Sequence, residues 1–351
     1  MSKRTVGSWL TVIIAITVIF FGGVTSGHAA DKTNNVGYSV KAELPDNQIH
    51  KDNTFYDLKM TPGQEETLKA TIYNLTNKDI TVSTAIHTAY TNSNGVIEYV
   101  KTTKTYDSTL KYKMSDLTKL RGPATVTVPA NGHKEVTAQV TMPKDDKFKG
   151  VILGGWYFKR TDQTATGNVK GSMNIQNEYS YVIGMKYTVD KEVDPTMAMG
   201  SVSAGMTNAH KGVFPTIRNT SARIIPNMTV KSKIINKQTG KTVKTLTKKN
   251  VQMAPNSGYR IQMLYNQDTL QPGKYKVDIT AKNADHAWHF TKDFTISQQE
   301  AKTYNKKDVN NKGISIWWFI IGGALGMLIL VLLGIWIFFL IRNRGKKSRK
   351  H

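Results

Sequence analysis

The sequence predicts an all-β fold of two β-sandwich domains closed by one C-terminal transmembrane helix. Three observations carry this reading. Short alternating or β-branched runs recur through the middle of the 351-residue chain, each bounded by Pro, Gly or Asn, and strands at that spacing build sandwiches. A weak internal repeat divides the strands into two similar sets. A long apolar run without a charge, Ile314 to Ile341, follows them.

The N-terminal element is a second, shorter apolar run, Leu10 to about Val24. Lys3 and Arg4 precede it and Ser26-Gly27-His28-Ala29-Ala30 follows. A basic start, an apolar centre and small residues at the end make residues 1–30 a secretory signal peptide cut near Ala29 or Ala30.

The exported part begins with ten expected strands. The first six are Thr67–Tyr73, Ile80–Ile86, Ala124–Val128, Glu135–Thr141, Val151–Phe158 and Tyr179–Val189. Asp107–Leu120 holds at most a helical turn or two, with Leu110, Met114 and Leu117 on one face. The charged, Pro-containing stretch Asp190–Gly200 breaks the pattern, which places a domain boundary there. Met228–Ile235, Tyr259–Leu264, Tyr275–Ala281 and Phe290–Ile296 follow. The sandwiches are thus expected over 31–192 and 193–298. The repeat pairs Val126–Val140 with Val251–Leu264, each a Pro-Asn-Gly-type turn feeding a strand. It also pairs Ile72–Thr76 with Ile217–Ser221, where a strand ends in Asn74 or Asn219 two residues before a hydroxyl, a local side-chain turn.

Residues 299–313 are polar and read as a stalk. The 314–341 run exceeds the roughly 20 apolar residues that span a bilayer. Trp317 and Trp318 stand at its outer edge, where amphipathic rings favour headgroups. Six Lys and Arg follow over 342–351, a basic tail that stays cytoplasmic and leaves the domains outside. Gly322 and Gly326 form a small-xxx-small pair, a helix-packing face or simply tolerated glycine. No Leu-Pro-x-Thr-Gly sorting signal precedes the run, so the helix is expected to stay in the mature protein.

There is no cysteine, so disulfides do not staple these exported domains. The formal charge is +23, and the signal and tail hold eight of it, leaving +15 on the exported part. A basic surface outside the cell suits polyanionic neighbours, or serves solubility alone. Nucleic acid is excluded by compartment and by the absence of its motifs.

Catalytic patterns are sparse. Ser108-Thr-Leu-Lys111 matches Ser-x-x-Lys, without the companion Ser-Asp-Asn and Lys-Thr-Gly. His286 and His289 are three apart, which in a strand puts them on opposite faces; they read as solvated loop or sheet positions, and no metal or cofactor is expected. Asp145-Asp146 sits in a lysine-rich loop and reads as solvated. In Gly154-Gly155-Trp156-Tyr157-Phe158, alternation puts either Trp156 with Phe158 or Tyr157 inward. Burial of the two large rings is the more stabilising. Tyr157 then faces out, as a contact for a sugar or partner or as an ordinary surface residue. The two glycines signal a bulge or a close backbone approach.

Several segments resemble the WxL-interacting proteins of low-GC Gram-positive bacteria. They are Glu43–Gln48, Thr54–Gln64, Ala89–Tyr99, Val128–Pro143, Lys149–Trp156, Tyr181–Gly184 and the region from Asn219 through Tyr275. The resemblance implies two immunoglobulin-like domains, the first peptidoglycan-binding and the second host-binding. It also implies a WxL-domain partner on the same cell surface. No Trp-x-Leu occurs in this chain, which suits the membrane-anchored partner rather than the WxL protein. Asn47, Gln48, Asn92 and Asn94, with Tyr157, are the candidate contacts to wall or partner. The expected function is a non-enzymatic surface adaptor binding peptidoglycan or an anionic wall polymer and a WxL-domain protein or host ligand. The alternative is an enzyme acting on peptidoglycan or teichoic acid.

Overall fold

The computed structural model describes residues 37–162, 179–310 and 316–347; the expected signal peptide and the last four residues of the tail lie outside them. The first sandwich contains β1 (Tyr38–Glu43), β2 (Tyr56–Met60), β3 (Glu65–Asn74), β4 (Ile80–Thr88), β7 (Thr118–Arg121), β8 (Thr125–Val128), β9 (His133–Thr141), β10 (Gly150–Arg160) and β11 (Ser180–Val189). A short hairpin, β5 (Tyr90–Thr91) and β6 (Ile97–Glu98), and one helical turn, α1 (Met114–Leu117), interrupt it. One sheet runs β1-β3-β9-β7 and the other β2-β11-β10-β4-β8.

The second sandwich contains β12 (Met197–Thr207), β13 (His210–Asn219), β14 (Ile225–Asn236), β15 (Thr242–Met253), β16 (Ser257–Arg260), β17 (Met263–Leu264), β18 (Gly273–Lys282) and β19 (Ala287–Ile296). Its sheets run β12-β13-β16, with β17 also on β13, and β15-β14-β18-β19. The two domains share one topology. In each, the first, second and fifth equivalent strands form one sheet, and the fourth, third, sixth and seventh form the other. This is an immunoglobulin-like Greek-key arrangement. The first domain adds β2, parallel to β11, and β7, antiparallel to β9.

The internal repeat has a physical basis in two buried asparagines. Asn74 Oδ1 accepts hydrogen bonds from the Thr76 amide and hydroxyl (2.9 and 2.7 Å), and Nδ2 donates to the carbonyls of Lys78, Val128 and Pro129. Asn219 does the same with Ser221 (3.1 and 2.7 Å), Arg223 and Ala254. The amides of Asn131 and Asn256, both at positive φ, close the same corner onto the carbonyls of Thr76 and Ser221. Each asparagine ties the turn after the second strand to the turn before the fifth, and so holds the two sheets together at one end.

Trp156 and Phe158 are fully buried and stacked, 5.4 Å between rings, while Tyr157 is half-buried. The Trp156 indole donates to the Thr84 hydroxyl. The glycines before Trp156 mark a close approach and no bulge, since β10 pairs in unbroken register with β4 and β11. A Cβ on Gly154 would lie 2.4 Å from the His87 carbonyl oxygen and from Met114. The buried Met114 of α1 therefore packs straight onto the strand.

Two expectations need correction, the strand over Tyr259–Leu264 and the stalk, while the helical turn expected in Asp107–Leu120 is present. The strand expected over Tyr259–Leu264 is broken into β16 and β17. Pro215 of β13 accepts from the Ile261 amide (2.8 Å) but has no N–H to give back. Most of the expected stalk is α2 (Gln298–Lys307), opened by a Ser297–Glu300 capping box and docked on the second domain. Ala301 is buried, Asn305 bonds both the amide and the carbonyl of Leu270 (2.9 and 2.8 Å), and buried Asp308 accepts from the Lys211 amide (2.7 Å). Lys302, Lys306 and Lys307 of α2 lie on the exposed side, and these few apolar and polar anchors outweigh its polar composition.

α3 (Ile316–Lys347) is the one described helix long and apolar enough to cross a membrane, and no residue of Ile320–Ile337 is buried within the protein. The helix continues into the basic tail as far as Lys347. Gly322 and Gly326 have open space before them; the side chains of Trp317 and Trp318 lie outside the described ones.

Trp156→Ala should destabilise the first domain by about 3–5 kcal/mol in denaturant titration, whereas Tyr157→Ala should leave the melt nearly unchanged. Asn219→Ala strands two buried carbonyls and an amide, at a cost of about 2 kcal/mol or more. In hydrogen exchange, the Val151 amide should lose protection in that variant but keep it in Asn74→Ala.

Candidate functional site

The first domain meets the second through the β5–β6 hairpin. Its turn, Asn92-Ser-Asn94-Gly95, is closed by Asn92 Oδ1, which accepts from the Asn94 and Val96 amides (2.9 and 3.3 Å). Gly95 takes φ +74°, and a Cβ there would press within about 3.2 Å of Tyr259 and Val251 of the second domain. Its carbonyl accepts from the Gln252 amide (2.8 Å). Thr91 Oγ1 shares a hydrogen bond with Ser257 Oγ (2.5 Å) and accepts from the Ala254 amide (3.0 Å). An apolar cluster of Ala89, Val151, Leu153 and Ala254 backs the contact.

Beside this junction lies a cleft of about 460 Å³. The hairpin gives it Tyr90, Asn92, Asn94 and Glu98; the following loop gives Lys101, Tyr106 and Asp107; and the second domain gives Asn256 and Ser257. Burial would raise the Glu98 carboxyl, but the amides of Val100 and Lys101 and the Asn92 side chain outweigh it and hold it below its ordinary value. Asp107 forms the floor-side ion pair between the domains, taking both its oxygens to Arg218 (2.6 and 2.7 Å). That bidentate bond, above all, lowers the Asp107 carboxyl to about 2. The cleft offers amides, hydroxyls, two tyrosines, two carboxylates and one lysine, the donor and acceptor set of a polar ligand such as a saccharide.

The five candidate contacts fall in three places. Asn92 and Asn94 line the cleft. Tyr157 lies on the outer face of β10, stacked at 5.1 Å on His87. Asn47 is half-buried and donates to the Lys59 carbonyl (3.1 Å). Gln48 needs correction as a contact residue. It is buried, and its amide is spent internally on His50, Phe55 and Asp57. Thr91, Tyr106, Asp107, Arg218 and Asn256 went unread in the sequence. The one signal available was the Asn94-Gly95 hairpin turn, which points to the loop but not to its partner 160 residues on.

The Ser-x-x-Lys match is split. Ser108 accepts from Arg218 (3.0 Å), and Lys111 pairs with Asp145 at 2.5 Å. Asp145 is therefore ion-paired rather than simply solvated, and its carboxyl is lowered to about 2 by Lys111 and then Tyr112. His289 bonds Asp278 and His286 stacks on Trp288. No cluster that would hold a metal occurs among the described residues.

The model of the WxL Interacting Protein peptidoglycan binding domain matches residues 38–160, and that of the WxL Interacting Protein host binding domain matches 170–306. The chain belongs to the WxL Interacting Protein family. Both matched units of this WxL Interacting Protein are binding domains, and the whole is a β-rich surface-binding chain with one apolar C-terminal helix that fits membrane anchorage. No curated protein matches it. Similar solved structures include the E. coli chaperone DraB (14% identity, 74% of this chain and 95% of that one, TM-score 0.28). The class 5 fimbriae chaperone CfaA is also similar (11%, 67% and 95%, 0.28), as is the Pseudomonas aeruginosa CupB2 chaperone (12%, 68% and 97%, 0.22). Likeness at these TM-scores carries no argument about function.

The Asp107 bond gives a pH signature. A carboxyl held at about 2 when folded, against 3.8 when free, stabilises the junction above pH ~4 and loses that effect as pH falls from about 4 to 2. Arg218→Ala should cost about 2 kcal/mol at neutral pH and flatten the stability profile between pH 4 and 2, measured by urea titration at each pH.

Proposed function

We propose that the protein is a non-enzymatic cell-surface adaptor, held by the 314–341 helix with its domains outside and the basic tail in the cytoplasm. The first domain binds peptidoglycan, and the second holds a WxL-domain protein or a host ligand. The observation that carries the reading is the junction cleft. Most of its lining comes from the domain matched as peptidoglycan-binding, and that lining is polar and tyrosine-bearing. Amide and hydroxyl groups meet sugar hydroxyls, while the Tyr90 and Tyr106 rings offer apolar faces with a polar tip. Because the second domain supplies Asn256 and Ser257 to the same cleft, a wall strand seated there would touch both domains.

Sedimentation of the full-length protein in detergent with purified peptidoglycan tests it. Tyr106→Ala and Asn94→Ala should each weaken binding about tenfold, the effect of roughly 1.4 kcal/mol, with unchanged melting. Binding equal to that of the unaltered protein would remove the cleft from the reading. Soluble fragments released from the peptidoglycan would overturn the non-enzymatic assignment.

A further inference from the structure

The excess charge of the exported chain sits on the second domain. Residues 193–313 carry 19 Lys and Arg against 7 Asp and Glu, a net +12, whereas residues 31–192 carry 21 against 18, a net +3. Part of this charge is ordered by the β15-β14-β18-β19 sheet. On its outer face the strand register defines four successive rows. Thr229 stands opposite Lys282, Lys231 opposite Thr280, Lys233 opposite Asp278 and Ile235 opposite Lys276. Each row thus holds one lysine: Lys282, Lys231, Lys233, Lys276. Rows are two residues apart, about 7 Å along the strand, so the four span roughly 20 Å. None of the four makes an ion pair among the described residues. Two acids share the face: Asp278, opposite Lys233, is hydrogen-bonded by His289, and Asp293, opposite Lys276, is ion-paired with Lys237. Threonines flank the lysines, with Thr247 opposite Lys231 and Thr245 opposite Lys233.

Protection of a sheet edge does not account for this row, because lysines serve that purpose on edge strands and β14 and β18 are the two central strands. We propose that this face is a docking surface for a linear polyanion bearing a phosphodiester about every 7 Å, laid along the strands with one phosphate per lysine row and the threonine hydroxyls as further donors. A row of lysines at regularly spaced strand positions recognises charge repeat and not sugar identity. It lies on a different surface from the junction cleft, so its failure leaves the cleft reading untouched.

The test uses the full-length protein in neutral detergent and poly(glycerol phosphate) as the probe, titrated by fluorescence anisotropy. Four contacts predict that log Kd changes with log salt with a slope of about 3. Lys231→Gln with Lys233→Gln should halve that slope and weaken binding more than tenfold. Lys306→Gln with Lys307→Gln, the same charge change on α2, should shift it less than twofold. Equal losses from the two pairs, or binding indifferent to salt, would overturn the proposal. So would binding to phosphatidylglycerol vesicles that the polymer does not compete away, which would make a lipid surface the occupant.

Discussion

The rest of the structure depends on the buried side-chain amide of Asn219. Both sheets of an immunoglobulin-like sandwich must be held in register at their ends, where strands cross from one sheet to the other and backbone groups lose ladder partners. A single asparagine answers several of these groups at once. Its oxygen takes an amide and a hydroxyl two residues on, and its nitrogen takes carbonyls from two turns. Buried polar groups left without partners are expensive, so the corner has one arrangement. That corner is also the seat of the first domain: the Ala222 carbonyl accepts from Val151, and Ala254 and Ser257 grip Thr91. The first domain has the same device at Asn74, where it closes its own corner.

The junction inherits its definition from this. Thr91 and Ser257 are both buried, as is the Asp107 side chain facing Arg218, and a bidentate bond of that kind fixes orientation as well as distance. With the Gly95 turn pressed against Tyr259, the hairpin lies against the second domain and does not swing free. A cleft built across two domains is useful for binding only if its walls hold their spacing, and here hydrogen bonds from both sides hold it.

Strands with strict alternation and β-branched content were legible in the sequence: β4, β9, β10 and β18 fall within a few residues of expectation. The buried Trp156 and Phe158 followed from alternation alone. Three of the missed strands share a physical cause. β12 is rich in small residues and half-exposed, β13 contains Pro215, and β15 is a lysine-rich edge strand buried only at its end, at Val251 and Met253, so none shows a hydrophobic period. α2 was hidden because a helix that docks through Ala301, Asn305 and Asp308 needs almost no apolar face. The asparagine repeat was visible, although its meaning, one side chain joining two distant turns, depends on pairings of strands far apart in sequence. The cleft was half visible: Asn92 and Asn94 stand in a readable turn, but Arg218 and Asn256 reach it only through the fold.

The lysine row sharpens the contrast between what a fold needs and what it tolerates. Two ammonium groups about 7 Å apart in water repel by about 0.6 kcal/mol before screening, and salt reduces this further. Lys231 and Lys233 gain no ion pair in return, and threonine at the same kind of site is already present at 229, 245, 247 and 280. Threonine also suits a central strand better than lysine does. Four rows in which the poorer strand former is placed once each, on inner strands, are not explained by strand propensity or edge protection, and a carboxylate stands across the strand only from Lys233 and Lys276. What the arrangement does provide is a positive potential repeated along one axis, which matches a ligand whose own charge repeats along its length.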